Sequence, residues 1–336
     1  MFTSLRSFVR TVLRARAFAL AGLILLFLSA LVCRSPVSEP PLEIIFVAVG
    51  DGHATLIRTP DHRTCLIDGG PTYAGANIIY PLLDSLGVRE LDYTIATNYT
   101  PGRIGGLDEV IRCLGGEEGV LFDCLDRGRS ASSPEFRQYR QVAASRRRSM
   151  RPGDAVKLGA VTVLCVAGNG RALDTERTKR PVEEDHSLAL LVSWHDFELL
   201  ITSGLTEGPD EHDRPLAASI AEAYGPVEMV SLGRRTPPRA IRDLNPQAVI
   251  IPGADSFAGE AGLQVLQRLS RNRRQVYRLR RPGPASSADT GLAALLPRNR
   301  VRTVVGNIRV AVEPDRYIVT GDTFEITNRR RPRGRR

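Results

Sequence analysis

Few side chains capable of chemistry stand close together in this sequence, and those that do lie at predicted turns. Asp51 and His53 occupy a Gly-Asp-Gly-His turn, and Asp68 follows an apolar run and precedes two glycines. If these three side chains converge, they offer carboxylate and imidazole groups that bind a metal ion or activate water. In the competing interpretation, Asp68 is a turn residue that supports the loop backbone. The five histidines show no H-x-H, H-x-x-x-H or H-E-x-x-H spacing, so no familiar zinc motif is present.

A second candidate site lies in the stretch L-D-Y-T-I-A-T-N-Y-T-P-G-R-I-G-G-L at residues 91–107. The pattern predicts a buried strand at Tyr93–Thr97, then a polar loop, then a helix that begins after the paired glycines. Loops between a strand and a helix are where α/β proteins usually place chemistry. This loop offers Asn98, Thr100 and Arg103, and it lacks the groups that such chemistry needs.

Apolar runs and turn signals divide the chain from Leu42 onward into the elements of an α/β layer fold. A β-meander comes first, with glycine or proline at its reversals. The predicted strands are 42–49, 54–59, 64–67, 93–97, 160–166, 187–194, 197–202, 227–231, 247–251 and 275–279, followed by closing hairpins at 301–312 and 317–326. Helices are predicted at 76–86, 214–224 and 262–269, and residues 115–154 are interpreted as an insertion.

Positive charge is concentrated at the two ends of the chain. The net charge is +9, and removing four arginines before residue 17 and six after residue 328 leaves −1. An unbroken apolar run at 17–33 behind the basic segment 1–16 favours a membrane anchor with the body on the extracytoplasmic side. A cleaved signal peptide is the alternative. We then expect a linker at 34–41, one domain at 42–328 and a basic tail at 329–336.

Four cysteines follow the apolar run, at Cys65, Cys113, Cys124 and Cys165. None has C-x-x-C spacing, so a zinc knuckle is not supported. Cys113 and Cys124 form the simplest disulfide pair, and buried free thiols are the alternative.

Four sequence blocks follow one another in a set order: L-E-I-I-F-V-A-V-G-D-G-H-A-T-L-I-R-T-P, L-I-D-G-G-P, P-L-L-D-S-L-G-V-R-E-L-D and I-G-G-L. In this order and spacing they resemble the metallo-β-lactamase-type domain at the C-terminal end of ComEC competence (DNA-uptake) proteins. With weaker matches later in the chain, the resemblance covers residues 42–279. It implies a four-layer αββα sandwich with a metal site at one sheet edge, placed outside the cytoplasm beside a DNA channel.

The chain departs from this family at the positions that would bind metal. Where the family has H-x-D-x-D-H before I-G-G, this chain has Asn98, Thr100, Gly102 and Arg103. The family's T-G-D carboxylate falls on Thr202-Ser203-Gly204, its paired histidines fall on Arg234-Arg235, and its early acid falls on His53. Arginine stays protonated and has no lone pair to offer a metal. The family's metal chemistry is therefore not carried over, and we predict no cofactor.

The arginines support a hypothesis of their own. If the fold is kept, Arg103, Arg234 and Arg235 converge with Asn98 and Thr100 on the cleft that holds the cations in the family. Guanidinium groups there suit a phosphate or a carboxylate, so we predict an anion-binding site. The alternative is that these arginines pair with nearby acids or face solvent.

Two further runs of arginine, at 137–151 and 268–281, offer contacts to a phosphate backbone. Solvated arginine faces are the alternative for both.

These observations predict a membrane-anchored, extracytoplasmic binding or scaffold protein without a working metal site, with DNA or another polyanion as the candidate partner. One rival is a ComEC-like hydrolase or nuclease with a site rebuilt from Asp51, His53 and Asp68. The other is a structural partner of an envelope or DNA-uptake complex, which needs no ligand.

Overall fold

A computed structural model describes residues 39–114, 119–124, 129–173, 186–203, 216–233, 238–253, 274–283 and 300–326. The chain divides into two compact units, Met1–Pro40 and Pro41–Arg336, and all the elements below belong to the second. The predicted anchor at 17–33 and the basic tail lie outside the described residues. Within the described ranges, no helix is long and apolar enough to cross a membrane.

The described residues form two large β-sheets. The strands in chain order are β1 Leu42–Phe46, β2 Thr55–Arg58, β3 Thr64–Ile67, β4 Tyr93–Ile95, β5 Val120–Asp123, β6 Arg147–Ser149, β7 Ala155–Leu158, β8 Val161–Gly168, β9 Arg171–Ala172, β10 Ala189–Trp194, β11 Phe197–Ile201, β12 Met229–Ser231, β13 Ala248–Ile251, β14 Gln275–Arg280, β15 Val301–Val305, β16 Ile308–Val312, β17 Arg316–Val319 and β18 Asp322–Glu325. The first sheet has the order β18-β17-β16-β1-β2-β3-β4-β5-β6. The second has the order β15-β14-β13-β12-β11-β10-β8-β7, with β9 paired to β8.

Each sheet changes from antiparallel to parallel pairing along its width. The predicted meander is confirmed, because β1, β2 and β3 pair antiparallel. From β3 to β6 the strands are parallel, as they are from β11 to β15. Parallel strands bring their carboxyl ends to one edge of a sheet, and ligands usually bind at such edges in α/β folds.

Helices cover the outer faces of the sheets. A π-helical turn at Gly75–Ile79 leads into α1, and short 3₁₀ turns flank α4 at Arg129–Ser132 and Ala144–Arg146. The α-helices are α1 Tyr80–Ser85, α2 Pro101–Ile104, α3 Leu107–Cys113, α4 Pro134–Ala143, α5 Leu216–Tyr224 and α6 Pro238–Leu244. The helix predicted at 262–269 lies outside the described residues.

Alternation along the strands separates two buried clusters. Leu199 and Ile201 of β11 pack in a cluster that also contains side chains of the first sheet and of α3. Leu200 points the other way, into a cluster with Ile220 of α5 and Ile241 of α6. Successive side chains of a strand face opposite sides of its sheet, so the second sheet is buried on both faces. The mixed α/β fold predicted from the sequence is confirmed.

Three predictions about the elements are wrong. Residues 301–312 do not form a hairpin, because β15 pairs parallel with β14 in the second sheet and β16 pairs antiparallel with β1 in the first. Gly306, with φ of 101°, lies where the chain changes sheets. The segment 115–154 is not an insertion either, since it supplies β5 and β6 of the first sheet. Finally, Cys113 and Cys124 are not bonded to each other, because both are free, the first exposed and the second buried.

Candidate functional site at the sheet edge

The carboxyl ends of β3, β4 and β11 bring polar residues from both sheets together. Asp68 follows β3, Thr97 lies two residues beyond β4, and Ser203 lies two residues beyond β11. The backbone of the two sheets is joined here, because the Leu188 N–H donates to the carbonyl of Thr97 at 2.8 Å. The candidate site is therefore a junction between the two sheets.

Asp68 is the buried acceptor of this junction. Its side chain is only 2% exposed. Oδ1 accepts from the Thr97 backbone N–H at 2.8 Å, and Oδ2 accepts from the Thr97 hydroxyl at 2.7 Å. Asp68 also has a φ of 60°, in the left-handed region that non-glycine residues seldom adopt. Burial and these hydrogen bonds fix the carboxylate in one position.

Arg103 supplies the matching cation. It belongs to α2, and its side chain is 6% exposed. Nη1 donates to Asp68 Oδ2 at 2.7 Å and to the Thr97 hydroxyl at 3.0 Å. Nη2 donates to the carbonyl of Ser203 at 2.6 Å, so one guanidinium group bridges the first sheet and the second.

Opposing effects act on the pKa of Asp68 in its pair with Arg103. Burial raises the pKa of Asp68, whereas the Arg103 guanidinium and the two Thr97 donors oppose that rise. A buried charge is tolerated only when it is paired and hydrogen-bonded. Arg103 and Asp68 meet both conditions, because each supplies the opposite charge and a hydrogen-bond partner for the other. Ser203, with φ of 54°, is held in the left-handed region beside them, and its hydroxyl has no partner among the described residues.

Asn98 and Thr100 shape the loop itself. Asn98 Oδ1 accepts from both the backbone N–H and the hydroxyl of Thr100, at 3.0 and 2.6 Å. Its Nδ2 donates to the hydroxyl of Ser187 at 2.8 Å, which makes a third link between the sheets. The oxygen that could have bound a ligand is therefore used to close a local turn.

The turn with Asp51 and His53 lies against the same loop through its backbone. The His53 N–H donates to the carbonyl of Gly102 at 2.9 Å, and the Gly69 N–H donates to the carbonyl of Arg103 at 2.6 Å. A Cβ at Gly52 would stand 2.3 Å from the Gly102 oxygen, so only glycine allows this approach. The Asp51 side chain is exposed and that of His53 is half-buried. Within the described part of the chain, no group of three His, Cys, Asp or Glu residues is placed to hold a metal ion.

A half-buried arginine from the run 137–151, Arg147, contacts the same loop. Arg147 Nε donates to Asp123 Oδ2 at 2.6 Å, and Nη2 donates to the Tyr99 hydroxyl at 3.2 Å. Its guanidinium carbon lies 5.4 Å from the Phe136 ring centroid and 5.7 Å from that of Tyr139. The available signal was the position of Asp123, a buried acid that ends β5 much as Asp68 directly follows β3.

The residues present do not fit the two-metal centre that the family resemblance implies. Both oxygens of Asp68 accept hydrogen bonds, and a guanidinium lies 2.7 Å from one of them. A divalent cation that bound Asp68 would have to displace the Arg103 guanidinium from Asp68 Oδ2. The displaced guanidinium would then be a buried positive charge without its partner, close to the cation. Arg234 and Arg235, which were predicted to share the site, lie outside the described residues.

No family model and no curated protein matches this chain. Among solved structures, the chain is similar to the metallo-β-lactamase fold protein YhfI from Bacillus subtilis. The TM-score is 0.44 at 10% identity, over 80% of this chain and 98% of that one. It is also similar to a diphosphatase from the PhnP family, with a TM-score of 0.42 at 12% identity, over 81% of this chain and 98% of that one.

A third similar structure is CmlA, a diiron β-hydroxylase from Streptomyces venezuelae, with a TM-score of 0.48 at 13% identity. The match covers 83% of this chain and 55% of CmlA, so this chain spans about half the length of that protein. At such identities the chemistry of this chain has to be argued from its own residues.

Proposed function

We propose that this chain is a binding or scaffold protein in which Arg103 takes the place of a metal cation, so that it does not act as a metal-dependent hydrolase. The observation that carries this proposal is the buried pair between Arg103 Nη1 and Asp68 Oδ2, 2.7 Å apart. A metal in a hydrolase polarises its substrate and lowers the pKa of a bound water. A guanidinium keeps the positive charge, but it offers no open coordination position and no Lewis acid.

The proposal includes a location and a class of partner. The basic segment 1–16 followed by the apolar run 17–33 supports a membrane anchor with the body on the extracytoplasmic side. The arginine-rich segments support DNA or another polyanion as partner. Both Nη1 hydrogens of Arg103 donate inside the protein, so contact with an anion falls to the other arginines of the chain, among them Arg234 and Arg235, which the sequence predicted for an anion-binding site.

Metal content tests the proposal. The purified full chain is offered Zn²⁺ and Mn²⁺, freed of excess metal, and measured by elemental mass spectrometry beside its Asp68→Asn variant. We expect far less than one metal ion per chain in both proteins. One or two ions in the wild type that are lost in Asp68→Asn would overturn the proposal and favour a hydrolase with a rebuilt site. Metal held equally by both proteins would place it away from Asp68 and leave the pair with Arg103 intact.

A further inference from the structure

Helix α4 and strand β6 carry an excess of positive charge. Residues 134–151 contain six arginines and one acid, Glu135, which gives a formal charge of +5. One of the six, Arg147, is half-buried and paired with Asp123, so its charge is neutralised internally. The other arginines decide what this segment presents to its surroundings.

Four of them form an exposed set, which we call the basic face: Arg137, Arg140, Arg148 and Arg151. In the described structure none of the four guanidinium groups pairs with a carboxylate. Arg137 Nη1 donates to the carbonyl of Ser132, and Arg148 Nη1 donates to the carbonyls of Ser145 and Arg147. Carbonyl groups are neutral, so the positive charge remains. The Asp154 carboxylate accepts from the backbone N–H of Arg151, and no guanidinium among the described residues pairs with it.

The basic face is held on a firm support. Phe136 and Tyr139 of α4 are buried, whereas Arg137 and Arg140 of the same helix are exposed. Ser133 caps this helix by accepting from the Phe136 N–H at 3.0 Å. Arg147 of β6 lies over both buried rings and so ties the helix to the sheet edge. Arg137 and Arg140 are thus carried by α4 and Arg148 by β6, while Arg151 follows β6 by two residues.

From this arrangement we infer that the basic face adsorbs to the surface of a bilayer that contains anionic phospholipid headgroups. The inference rests on the membrane anchor of the proposed function. In the sequence, only the eight residues 34–41 separate the apolar run from the domain. Guanidinium groups form paired hydrogen bonds with phosphate oxygens, and exposed Gln138 and Gln141 add amide donors between the arginines.

The composition of the basic face favours lipid headgroups over a nucleic acid strand. Binding of single strands depends on bases that stack on exposed aromatic rings. The large apolar side chains exposed in the described residues are Tyr73 and Val305, and neither belongs to α4 or β6. The same lack of apolar groups means that attraction to the bilayer is electrostatic, without insertion, and therefore weakens as salt rises.

Hydrogen–deuterium exchange of the full chain in reconstituted bilayers tests this inference. One bilayer is phosphatidylcholine and the other contains about one third phosphatidylglycerol. We expect peptides within 134–151 to exchange at least threefold more slowly in the anionic bilayer at 0.1 M salt, and equally in both at 0.5 M salt. A variant with Arg137, Arg140, Arg148 and Arg151 changed to Gln should lose this protection. A matched variant that removes four arginines elsewhere, at Arg63, Arg89, Arg309 and Arg316, should keep it.

Several outcomes contradict the inference. Equal exchange in the two bilayers at low salt, or protection that persists in the basic-face variant, overturns it. Protection produced in the neutral bilayer by an added 20-base-pair DNA duplex, and not by anionic lipid, would assign the face to nucleic acid. Retention of the chain on neutral bilayers at 0.5 M salt reports the anchor separately. If the chain is not retained, the anchor has failed. Exchange within 134–151 is then measured after neutral or anionic vesicles are added to the chain in solution, so failure of the anchor and failure of the basic face are distinguishable.

Discussion

At the scale of single residues, the pair between Arg103 and Asp68 decides which groups the sheet edge offers. Asp68 occupies a strained, buried position at the end of β3, where a carboxylate could serve a cation. The cation here is a side chain of the protein itself, and it also binds the second sheet through the carbonyl of Ser203. Strained residues persist only where their surroundings over-determine them, and Arg103 contacts both of the strained residues at this edge.

Removal of Arg103 should be costly. Breaking a buried ion pair by deleting one partner leaves an unpaired charge and typically costs about 3–5 kcal/mol. We therefore expect Arg103→Ala to lower the free energy of unfolding by about this amount, measured by urea denaturation. Arg89→Ala, which removes an exposed partner of Asp84, is the matched control and should change stability little. Equal effects of the two substitutions would show that the buried pair does not hold the sheets together.

The cost of Arg103→Ala should also depend on pH. Without the guanidinium, burial raises the pKa of Asp68 with only Thr97 opposing it, so the folded variant holds a proton that the unfolded chain releases near pH 4. Stability then falls as pH rises from the unfolded pKa to the folded one. The difference between wild type and variant should accordingly be larger at pH 7 than at pH 4. A difference that is the same at both values would mean that Asp68 stays ionised in the variant.

At the scale of elements, the loop after β4 is positioned by glycines that allow backbones to touch. Gly106 precedes α3, and a Cβ there would lie 2.3 Å from the Gly69 oxygen and 2.5 Å from the Gly75 nitrogen. The segment 69–75 and the start of α3, which are distant in sequence, therefore meet around one glycine. This explains why a paired glycine follows the loop that carries Arg103.

Comparison of two glycines tests this packing. Gly106→Ala forces backbone to move and should lower the free energy of unfolding by roughly 3 kcal/mol or more. Gly87→Ala is the control, since Gly87 has φ of 69° and nothing within 4 Å of its added Cβ, so only conformational strain of about 1–2 kcal/mol is expected. Thermal or urea unfolding of both variants measures the difference. A Gly106 variant no less stable than the Gly87 variant would contradict the proposed close packing.

At the scale of the whole molecule, strands that are far apart in sequence complete both sheets. The first sheet takes strands from both ends of the domain, since β1 pairs with β16 from Leu42↔Val312 to Phe46↔Ile308. The central strands would otherwise leave an edge open beside β1. The C-terminal strands are therefore part of the core, and Tyr317 stacks on Phe324 and packs edge-on against Phe197 of the second sheet.

The domain should fold without the N-terminal segment. Both sheets and both buried clusters lie between Leu42 and Ile326, so a protein of residues 41–336 should keep the near-ultraviolet circular dichroism spectrum and the unfolding midpoint of the full chain. A shorter protein that ends at residue 300 lacks β15–β18, which belong to both sheets, and should lose cooperative unfolding. If 41–336 is unfolded, the N-terminal segment contributes to the domain core.

Local patterns in the sequence determined many of the elements, and the residue types determined which side chains the candidate site contains. Apolar runs and glycine turns predicted the meander, the strand at 93 and the helix after the paired glycines, because these signals act between neighbouring residues. The types of residue at 98, 100 and 103 likewise carry the prediction that the family's metal site is absent.

Only the tertiary structure decided the partners. The sequence placed Asp68 at a turn and Arg103 in a loop, 35 positions apart, and nothing local states that they form one buried pair. The same holds for Arg147 with Asp123. It also holds for β15 and β16, which join different sheets although only Gly306 and Asn307 separate them in the sequence. Partner choice depends on which strand ends meet across the domain, and that is set by long-range packing of the two sheets.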